Sequence, residues 1–213
     1  MSTNDGGFDE WNSGIGQALR ELAMRLSDTD GSWLLGGSSG LWLQGVKLAA
    51  PPRDIDVYAD LPHAGALHGL LSDQALDEPR LDESGLYISM LSHYRLHDYT
   101  TELVGGFRVN TEGARYKTEV SEVLAPAAES VRLGDATVRV MPLAHEFVFN
   151  VLRDRPDRYL AIAEVMRRQP ERHLPLLATL LERNLWTAEL VAKMAEMLDR
   201  PLLSLSWGAL ESN

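Results

Sequence analysis

Hydrophobic and polar positions recur with different periods along the chain, and those periods predict where helices and strands lie. Apolar residues at helical spacing predict a helix from about Ile15 to Leu26. Strict alternation from Asp54 to Ala59 predicts a strand, because successive strand side chains point to opposite faces of a sheet. Further strands are predicted over residues 33–35, 86–91, 94–96, 99–104, 107–109, 131–133 and 136–141, and short helices over residues 41–48 and 66–71.

The pattern changes at Pro142, after which helical spacing predominates. Helices are predicted over residues 143–152, 158–168, 174–181 and 187–198. Residues 1–13 are mostly small and polar, which predicts disorder. We therefore expect a disordered N-terminus at residues 1–13, an α/β domain at 14–141 and a C-terminal helical subdomain at 142–213. The expected fold class is α/β (α+β), with a small twisted mixed β-sheet and helices packed on it.

Composition narrows the possible functions. The chain has no cysteine, which excludes disulfides, zinc–thiolate sites and thiol catalysis. Its formal net charge of -11 disfavours bulk nucleic-acid binding, since that binding depends on basic residues at the phosphate backbone. No apolar run approaches the roughly 18 residues of a membrane span, and no signal-peptide pattern begins the chain. A cytoplasmic location and no membrane partner are expected.

Two carboxylates on one strand are the first candidate site. Asp54 and Asp56 are two residues apart, so their side chains point to the same face of the predicted strand. Neighbouring carboxylates repel each other and raise each other's pKa, and a hard divalent cation such as Mg²⁺ relieves that repulsion. The alternative for an isolated Asp-x-Asp is a pair of solvated acids at a strand end.

A glycine- and serine-rich turn precedes this strand. Residues Gly36, Gly37, Ser38 and Ser39 follow the predicted strand 33–35 and lead into a predicted helix. Glycine lets the backbone approach a phosphate closely, and free N–H groups at a helix start, together with serine hydroxyls, bind its oxygens. A phosphate cradle beside a dicarboxylate metal site is an arrangement typical of metal-assisted nucleotide chemistry.

The order of these motifs resembles the DNA polymerase beta-like nucleotidyltransferase superfamily. Its signature is a hydrophobic residue with Gly-Gly/Ser, a helix, and then Asp-hydrophobic-Asp-hydrophobic. Here these motifs read Leu35-Gly36-Gly37-Ser38 and Asp54-Ile55-Asp56-Val57. The superfamily includes the kanamycin and lincosamide nucleotidyltransferases and the abortive-infection-type toxins. The stretch from Trp33 to Asp60 also looks like a group of uncharacterised bacterial nucleotidyltransferase-like proteins.

The resemblance implies a reaction and a set of site residues. A third acid is expected on a later strand, and Glu102 fits best because it interrupts a β-rich run. Asp54, Asp56 and Glu102 would bind two Mg²⁺ ions. Phosphates of a nucleoside triphosphate would bind at Gly36, Gly37, Ser38 and Ser39. The implied activity is transfer of a nucleoside monophosphate to an acceptor hydroxyl or phosphate, with release of pyrophosphate.

Two alternatives stay within the same fold. Related proteins often carry a lysine on the first C-terminal helix that reaches the phosphates, and Asn150 occupies about that place. A catalytically inactive member that binds a nucleotide or a protein is therefore one alternative. A toxin-type nucleotidyltransferase that modifies RNA or protein is the other.

Two other patterns leave choices open. The segment Gly36 to Gly40 also matches Gly-x-Ser-x-Gly, the nucleophile elbow of α/β-hydrolases, with Asp98 and His145 as conceivable partners of Ser38. That elbow normally follows several strands, which the short segment before Gly36 does not supply. Arginines also cluster at the helical junction, and they form either a solvated, salt-bridged face or part of a nucleotide cleft. The cluster comprises Arg153, Arg155, Arg158, Arg167 and Arg168.

Overall fold

The computed structural model describes residues 14–27, 29, 32–200 and 206–210, so the disorder expected at residues 1–13 lies outside it. Its centre is a ten-stranded mixed β-sheet. The strands are β1 (Trp33–Gly36), β2 (Asp54–Ala59), β3 (Arg80–Ser84), β4 (Tyr87–Leu96), β5 (Tyr99–Asn110), β6 (Ala114–Lys117), β7 (Glu129–Leu133), β8 (Ala136–Val140), β9 (Leu185–Trp186) and β10 (Gly208–Ala209).

Seven α-helices are described around this sheet. They are α1 (Gly14–Arg25), α2 (Gly37–Leu43), α3 (Leu61–Leu71), α4 (Leu143–Leu152), α5 (Pro156–Arg168), α6 (Pro170–Arg183) and α7 (Ala188–Met197). Within the described ranges, none of the helices combines the length and apolar character needed to cross a membrane.

The strand order places β2 and β5 side by side in the middle of the sheet. The order is β10-β9-β6-β5-β2-β1-β8-β7, with β4 also on β5 and β3 on β4. β2 is antiparallel to β1 and parallel to β5. The register of the parallel pair sets Asp56 directly beside Glu102. Since directly paired residues share a sheet face, these two carboxylates point to the same side.

Two buried clusters cover the two faces of the sheet. Ile55 and Val57 belong to the cluster that includes α1 and α3. Tyr58 belongs to the other cluster, which includes α4 to α7. Because side chains alternate along β2, Asp54 and Asp56 share the face of Tyr58. The acids of β2 therefore lie on the side of the sheet that the C-terminal helices cover.

The C-terminal segment is joined to the sheet as well as packed on it. β9 pairs with β6, and β10 pairs with β9. Helices α4 to α7 share one hydrophobic cluster with β1, β2 and β5. Packing is continuous across residue 142. The domain boundary expected there stays a prediction.

The sequence pattern predicts that two paired glycines interrupt a strand, but the structure shows no interruption there. The strands predicted over residues 99–104 and 107–109 form one strand, β5, which runs through Gly105 and Gly106. A Cβ at Gly105 would lie 2.7 Å from the Ala64 Cβ, and one at Gly106 would lie 2.9 Å from the Leu61 Cβ. Gly106 also has φ +63. The glycines therefore let α3 pack closely on β5.

The glycine turn is also part of a helix. The helix predicted over residues 41–48 is instead α2, which begins at Gly37 and ends at Leu43. Gly45, with φ +74, follows its end. A left-handed glycine just beyond a helix is a common stop signal, and it explains the early end.

The contact between α3 and β5 generates a stability prediction. Gly105→Ala is expected to lower the free energy of unfolding by about 1 to 3 kcal/mol, since the added methyl group overpacks against Ala64. Gly69→Ala, on the exposed face of α3 with no atom within 4 Å of the added Cβ, is the matched control. It is expected to stabilise by about 0.5 to 1 kcal/mol, because alanine favours the helix. Urea unfolding measures both, and a Gly105→Ala protein as stable as the wild type would contradict the packing.

Candidate active site

A tight turn between β1 and α2 brings backbone against Asp56. Gly37 has φ +59, a conformation that favours glycine. A Cβ on Gly37 would lie 1.7 Å from the Asp56 Oδ2. A Cβ on Gly36 would lie 2.6 Å from the Tyr58 ring. Both glycines are therefore required by close packing against β2, and the start of α2 lies next to the acids.

Asp54, Asp56 and Glu102 line one cavity of about 350 Å³. Parallel pairing sets Asp54 opposite Thr100 and Asp56 opposite Glu102. The two strands thus present three carboxylates on one face. A larger cavity of about 590 Å³, beside α1 and β8, contains none of the predicted site residues. The candidate chemistry belongs to the smaller cavity.

Burial and neighbouring carboxylates raise the pKa of Asp56 and of Glu102. Burial, and then the charges of Asp54 and Glu102, raise the pKa of Asp56 to about 8. Burial, together with the charge of Asp54, also raises the pKa of Glu102. His93 of β4 acts in the opposite direction on Glu102, with its Nε2 3.9 Å from the Glu102 Oε1. The site therefore concentrates negative charge that a cation would stabilise.

The donor set fits a hard divalent cation, although the side chains are not gathered into a finished site. No group of three His, Asp or Glu side chains is arranged to hold a metal ion within the described parts of the chain. Three carboxylates that face one cavity nevertheless offer the oxygen ligands that Mg²⁺ prefers. Burial, and then repulsion from Asp54 and Glu102, raise the pKa of Asp56, and a bound cation would offset both effects.

The four residues of the predicted phosphate cradle have different positions. Gly37 and Ser38 line the cavity, whereas Gly36 and Ser39 are not among its lining residues. The Ser38 hydroxyl donates to the Asp54 Oδ1 at 3.2 Å. The Ser39 hydroxyl is fully buried and donates to the Asp54 backbone oxygen at 2.8 Å. Ser39 thus fastens α2 to β2, and Ser38 is the hydroxyl available to a ligand.

Glu146 is a site residue that sequence reasoning did not identify. It lies in α4, is 1% exposed, and its Oε1 accepts the Gly37 backbone N–H at 2.8 Å. Burial raises the pKa of Glu146 to about 7. The Gly37 N–H, expected to face a phosphate, is thus bonded to Glu146. The detectable signal was a charged residue in a helix whose ten residues are all buried.

Asn150 does not line the cavity but supports a residue that does. It is fully buried, and its Nδ2 donates to the Glu146 backbone oxygen at 2.7 Å. Its Oδ1 accepts from Arg153 Nη2 at 2.7 Å and Nε at 3.1 Å. Glu146, Asn150 and Arg153 have the spacing that places residues on one face of a helix, so the pattern was detectable in the sequence.

The arginines at the helical junction separate into two groups. Arg153, Arg155 and Arg158 line the cavity. Arg167 and Arg168 are instead paired at the surface with Asp199 and Glu164. The salt-bridged surface is confirmed for Arg167 and Arg168. A nucleotide cleft at the other three arginines stays a prediction.

Comparison with known proteins shows which fold this is. No protein-family model matches the chain, and no curated protein matches its sequence. A solved structure from Thermotoga maritima, provisionally described as a nucleotidyltransferase, aligns with a TM-score of 0.57 at 19% identity. The alignment covers 74% of this chain and 92% of that one. The chain has the nucleotidyltransferase fold.

Two further solved structures are similar at lower scores. The resistance factor ANT(2'')-Ia aligns with a TM-score of 0.48 at 10% identity, over 78% of this chain and 92% of that one. The lincosamide antibiotic adenylyltransferase LnuA aligns with a TM-score of 0.42 at 13% identity, over 62% and 83%. The mixed α/β class and the nucleotidyltransferase fold expected from the sequence are confirmed by the structure and its similarity to the Thermotoga protein.

The α/β-hydrolase alternative requires a histidine bonded to Ser38, and the structure does not provide that contact. The Ser38 hydroxyl is bonded to Asp54, and not to a histidine. His145 is fully buried and its Nδ1 is bonded to the Tyr116 hydroxyl at 2.7 Å. Burial lowers the pKa of His145 to about 3. His145 therefore belongs to the core beneath the nucleotidyltransferase sheet, and the elbow interpretation is wrong.

The charge at Asp56 predicts how stability depends on pH. Its folded-state pKa of about 8 is above the ordinary 3.8, so its protonated form is favoured in the folded protein. Protonated Asp56 therefore stabilises the folded protein fully below about pH 4, and this contribution is lost as pH rises towards 8. Asp56→Asn is expected to reduce the fall in unfolding free energy over that range by at least about 1 kcal/mol. Chemical unfolding at several pH values, in the presence of a chelator, measures the difference.

Two controls accompany the pH series. Glu83→Gln removes an exposed carboxylate from β3 and is expected to keep the wild-type pH dependence. Added Mg²⁺ at the upper end of the range is expected to stabilise the wild type more than Asp56→Asn. Equal pH dependence in Asp56→Asn and the wild type would contradict the electrostatic coupling.

Proposed function

We propose that this chain is a Mg²⁺-dependent nucleotidyltransferase. It would move a nucleoside monophosphate from a nucleoside triphosphate to an acceptor hydroxyl or phosphate. The observation that carries the proposal is the single cavity lined by Asp54, Asp56 and Glu102 together with Gly37 and Ser38. The nucleotidyltransferase fold of the chain supports it.

The reaction is a substitution at phosphorus. An acceptor oxygen forms a bond to the α-phosphorus, the bond from that phosphorus to the bridging oxygen of the β-phosphate breaks, and pyrophosphate leaves. The acceptor proton passes to solvent or to a carboxylate of the site. Divalent ions, when bound, lower the pKa of the acceptor oxygen and neutralise the leaving group.

Each side chain has a role that follows from its place in the cavity. Asp54, Asp56 and Glu102 would hold the metal ions, because carboxylate oxygens are their preferred ligands. The Ser38 hydroxyl can rotate from Asp54 to a phosphate oxygen, since a hydroxyl both donates and accepts hydrogen bonds. Gly37 lets the start of α2 lie against Asp56, where a Cβ would clash with the carboxylate.

Aromatic rings form the far wall of the same cavity. Tyr87 and Phe107 are stacked with ring centroids 5.8 Å apart, and Phe149 meets Phe107 edge-on at 5.2 Å. Phe107 and Phe149 are buried, so the partly exposed Tyr87 ring is the aromatic surface that could pack against a nucleobase or a ring of the acceptor.

The proposal predicts which carboxylates transfer depends on. Asp54→Asn, Asp56→Asn and Glu102→Gln are each expected to lower transfer by at least about 100-fold, because each removes a charge from the site of the reacting phosphate. Release of pyrophosphate from each of the four nucleoside triphosphates, with Mg²⁺ and a panel of hydroxyl and phosphate acceptors, measures transfer. Glu83→Gln is the control and is expected to keep wild-type activity.

The outcomes separate the alternatives within this fold. Transfer that is unchanged in Asp54→Asn and Asp56→Asn would refute the assigned mechanism. Nucleotide binding by calorimetry without pyrophosphate release would assign the chain to the non-catalytic members of the fold. Growth arrest on expression that is relieved by Asp56→Asn would assign it to the toxin-type enzymes.

A further inference from the structure

A row of directly paired residues crosses four strands at the level of the candidate active site. Asp56 of β2 pairs with Gly36 of β1 on one side and with Glu102 of β5 on the other. Glu102 pairs in turn with His93 of β4. Directly paired residues share a sheet face, so the His93 side chain lies on the side of the carboxylates. Its Nε2 is 3.9 Å from the Glu102 Oε1, which is within ion-pair distance and longer than a hydrogen bond.

A second carboxylate holds His93 from the side away from Glu102. The Asp77 Oδ1 accepts the His93 backbone N–H at 2.7 Å, and the Asp77 Oδ2 is 2.7 Å from the His93 Nδ1. Burial alone would raise the pKa of Asp77, and hydrogen bonds from His93 lower it below its ordinary value. An ionised carboxylate only accepts hydrogen bonds, so the Nδ1 is the donor in this pair. The ring is therefore held in the orientation that presents its Nε2 to Glu102.

Asp77 is itself fastened to β4. Ala75 forms a β-bridge with Tyr94, and the Leu76 backbone N–H donates to the His93 backbone oxygen at 2.8 Å. These backbone contacts already attach the segment before β3 to the strand. The bond between Asp77 and the ring adds the orientation of His93.

Glu102 is the carboxylate of the site that most needs a restraint. Its side chain has one rotatable bond more than an aspartate, and the charge of Asp54 repels it. The charge of His93 acts in the opposite direction and attracts it. Because a carboxylate has two oxygens, Glu102 can keep one on His93 and offer the other to a metal ion.

We propose that Asp77 and His93 are positioning residues that hold Glu102 for metal binding, with His93 on one carboxylate oxygen and the cation on the other. The inference rests on the proposed function and adds the residues that orient its third carboxylate. A partner behind a metal ligand fixes the orientation of that ligand, and loss of the partner typically weakens metal binding about 10- to 100-fold. The role needs an N–H donor that faces Glu102, and it involves no transfer of a proton.

The experiment measures binding of Mn²⁺ to the full chain by calorimetry, without nucleotide. Mn²⁺ takes the same oxygen ligands as Mg²⁺, and the binding that Asp56→Asn removes is assigned to this site. His93→Leu is expected to raise the Kd at least about tenfold. His93→Gln, whose amide supplies an N–H donor, is expected to stay within about threefold of the wild type. His68→Leu removes a histidine that lies near Glu78 on α3, at the opposite face of the sheet, and it is expected to leave the Kd unchanged.

A double-mutant cycle tests the role of Asp77. Asp77→Ala is expected to raise the Kd about threefold or more, and to have no further effect when His93→Leu is already present. An effect of Asp77 on the fold alone would appear in both backgrounds. Unfolding midpoints without metal show which variants are folded. If Asp77→Ala is not, Asp77→Asn, which keeps an acceptor for the backbone N–H of His93, takes its place in the cycle.

Failure of this inference is distinguishable from failure of the proposed function. His93→Leu that binds Mn²⁺ as the wild type does, or His93→Gln that binds it as weakly as His93→Leu, would overturn the inference even if Asp56→Asn abolishes transfer. Equal Mn²⁺ binding by the wild type and Asp56→Asn would overturn the metal site and the inference together. The expected order of Kd values would support the inference even if the wild type transfers no nucleotide to any acceptor tested.

Discussion

Parallel pairing of β2 with β5 is the constraint on which the candidate site depends. It sets Asp56 directly beside Glu102, and the alternation of β2 adds Asp54 to the same face. Negative charges that are close together and partly buried are unfavourable. Burial and the neighbouring charges therefore raise the pKa of Asp56. A group of carboxylates that destabilises the protein without a ligand is typical of a functional site, where stability is exchanged for binding.

Helix α4 and the residue that follows it bring a positive charge, Arg153, to the cavity of the three carboxylates. Through Glu146, α4 holds the Gly37 N–H, and through Asn150 the same helix holds Arg153. A displacement of α4 would therefore change both the position of Gly37 and that of Arg153. The continuous packing of α4 to α7 against β1, β2 and β5 makes such a displacement costly.

Most elements followed from sequence patterns where one physical signal dominated. β2 has the predicted bounds, and so does α4, because strict alternation and helical spacing are local properties. The two strands joined in β5 did not follow, since paired glycines usually mark a turn and only the close approach of α3 explains them here. The short strands β9 and β10 have no local signal and form only because an edge of the sheet is available.

The shared face of Asp54 and Asp56, the glycine turn and the resemblance that predicts their chemistry could all be read from the sequence, because spacing along one strand or turn is set by the backbone. Two contacts appear only in three dimensions: the Ser39 hydroxyl bonds the backbone of β2, and Glu146 accepts the Gly37 N–H. Each of these joins residues from separate elements. Their contact depends on how helices and strands pack, and no local pattern in the chain encodes that distance.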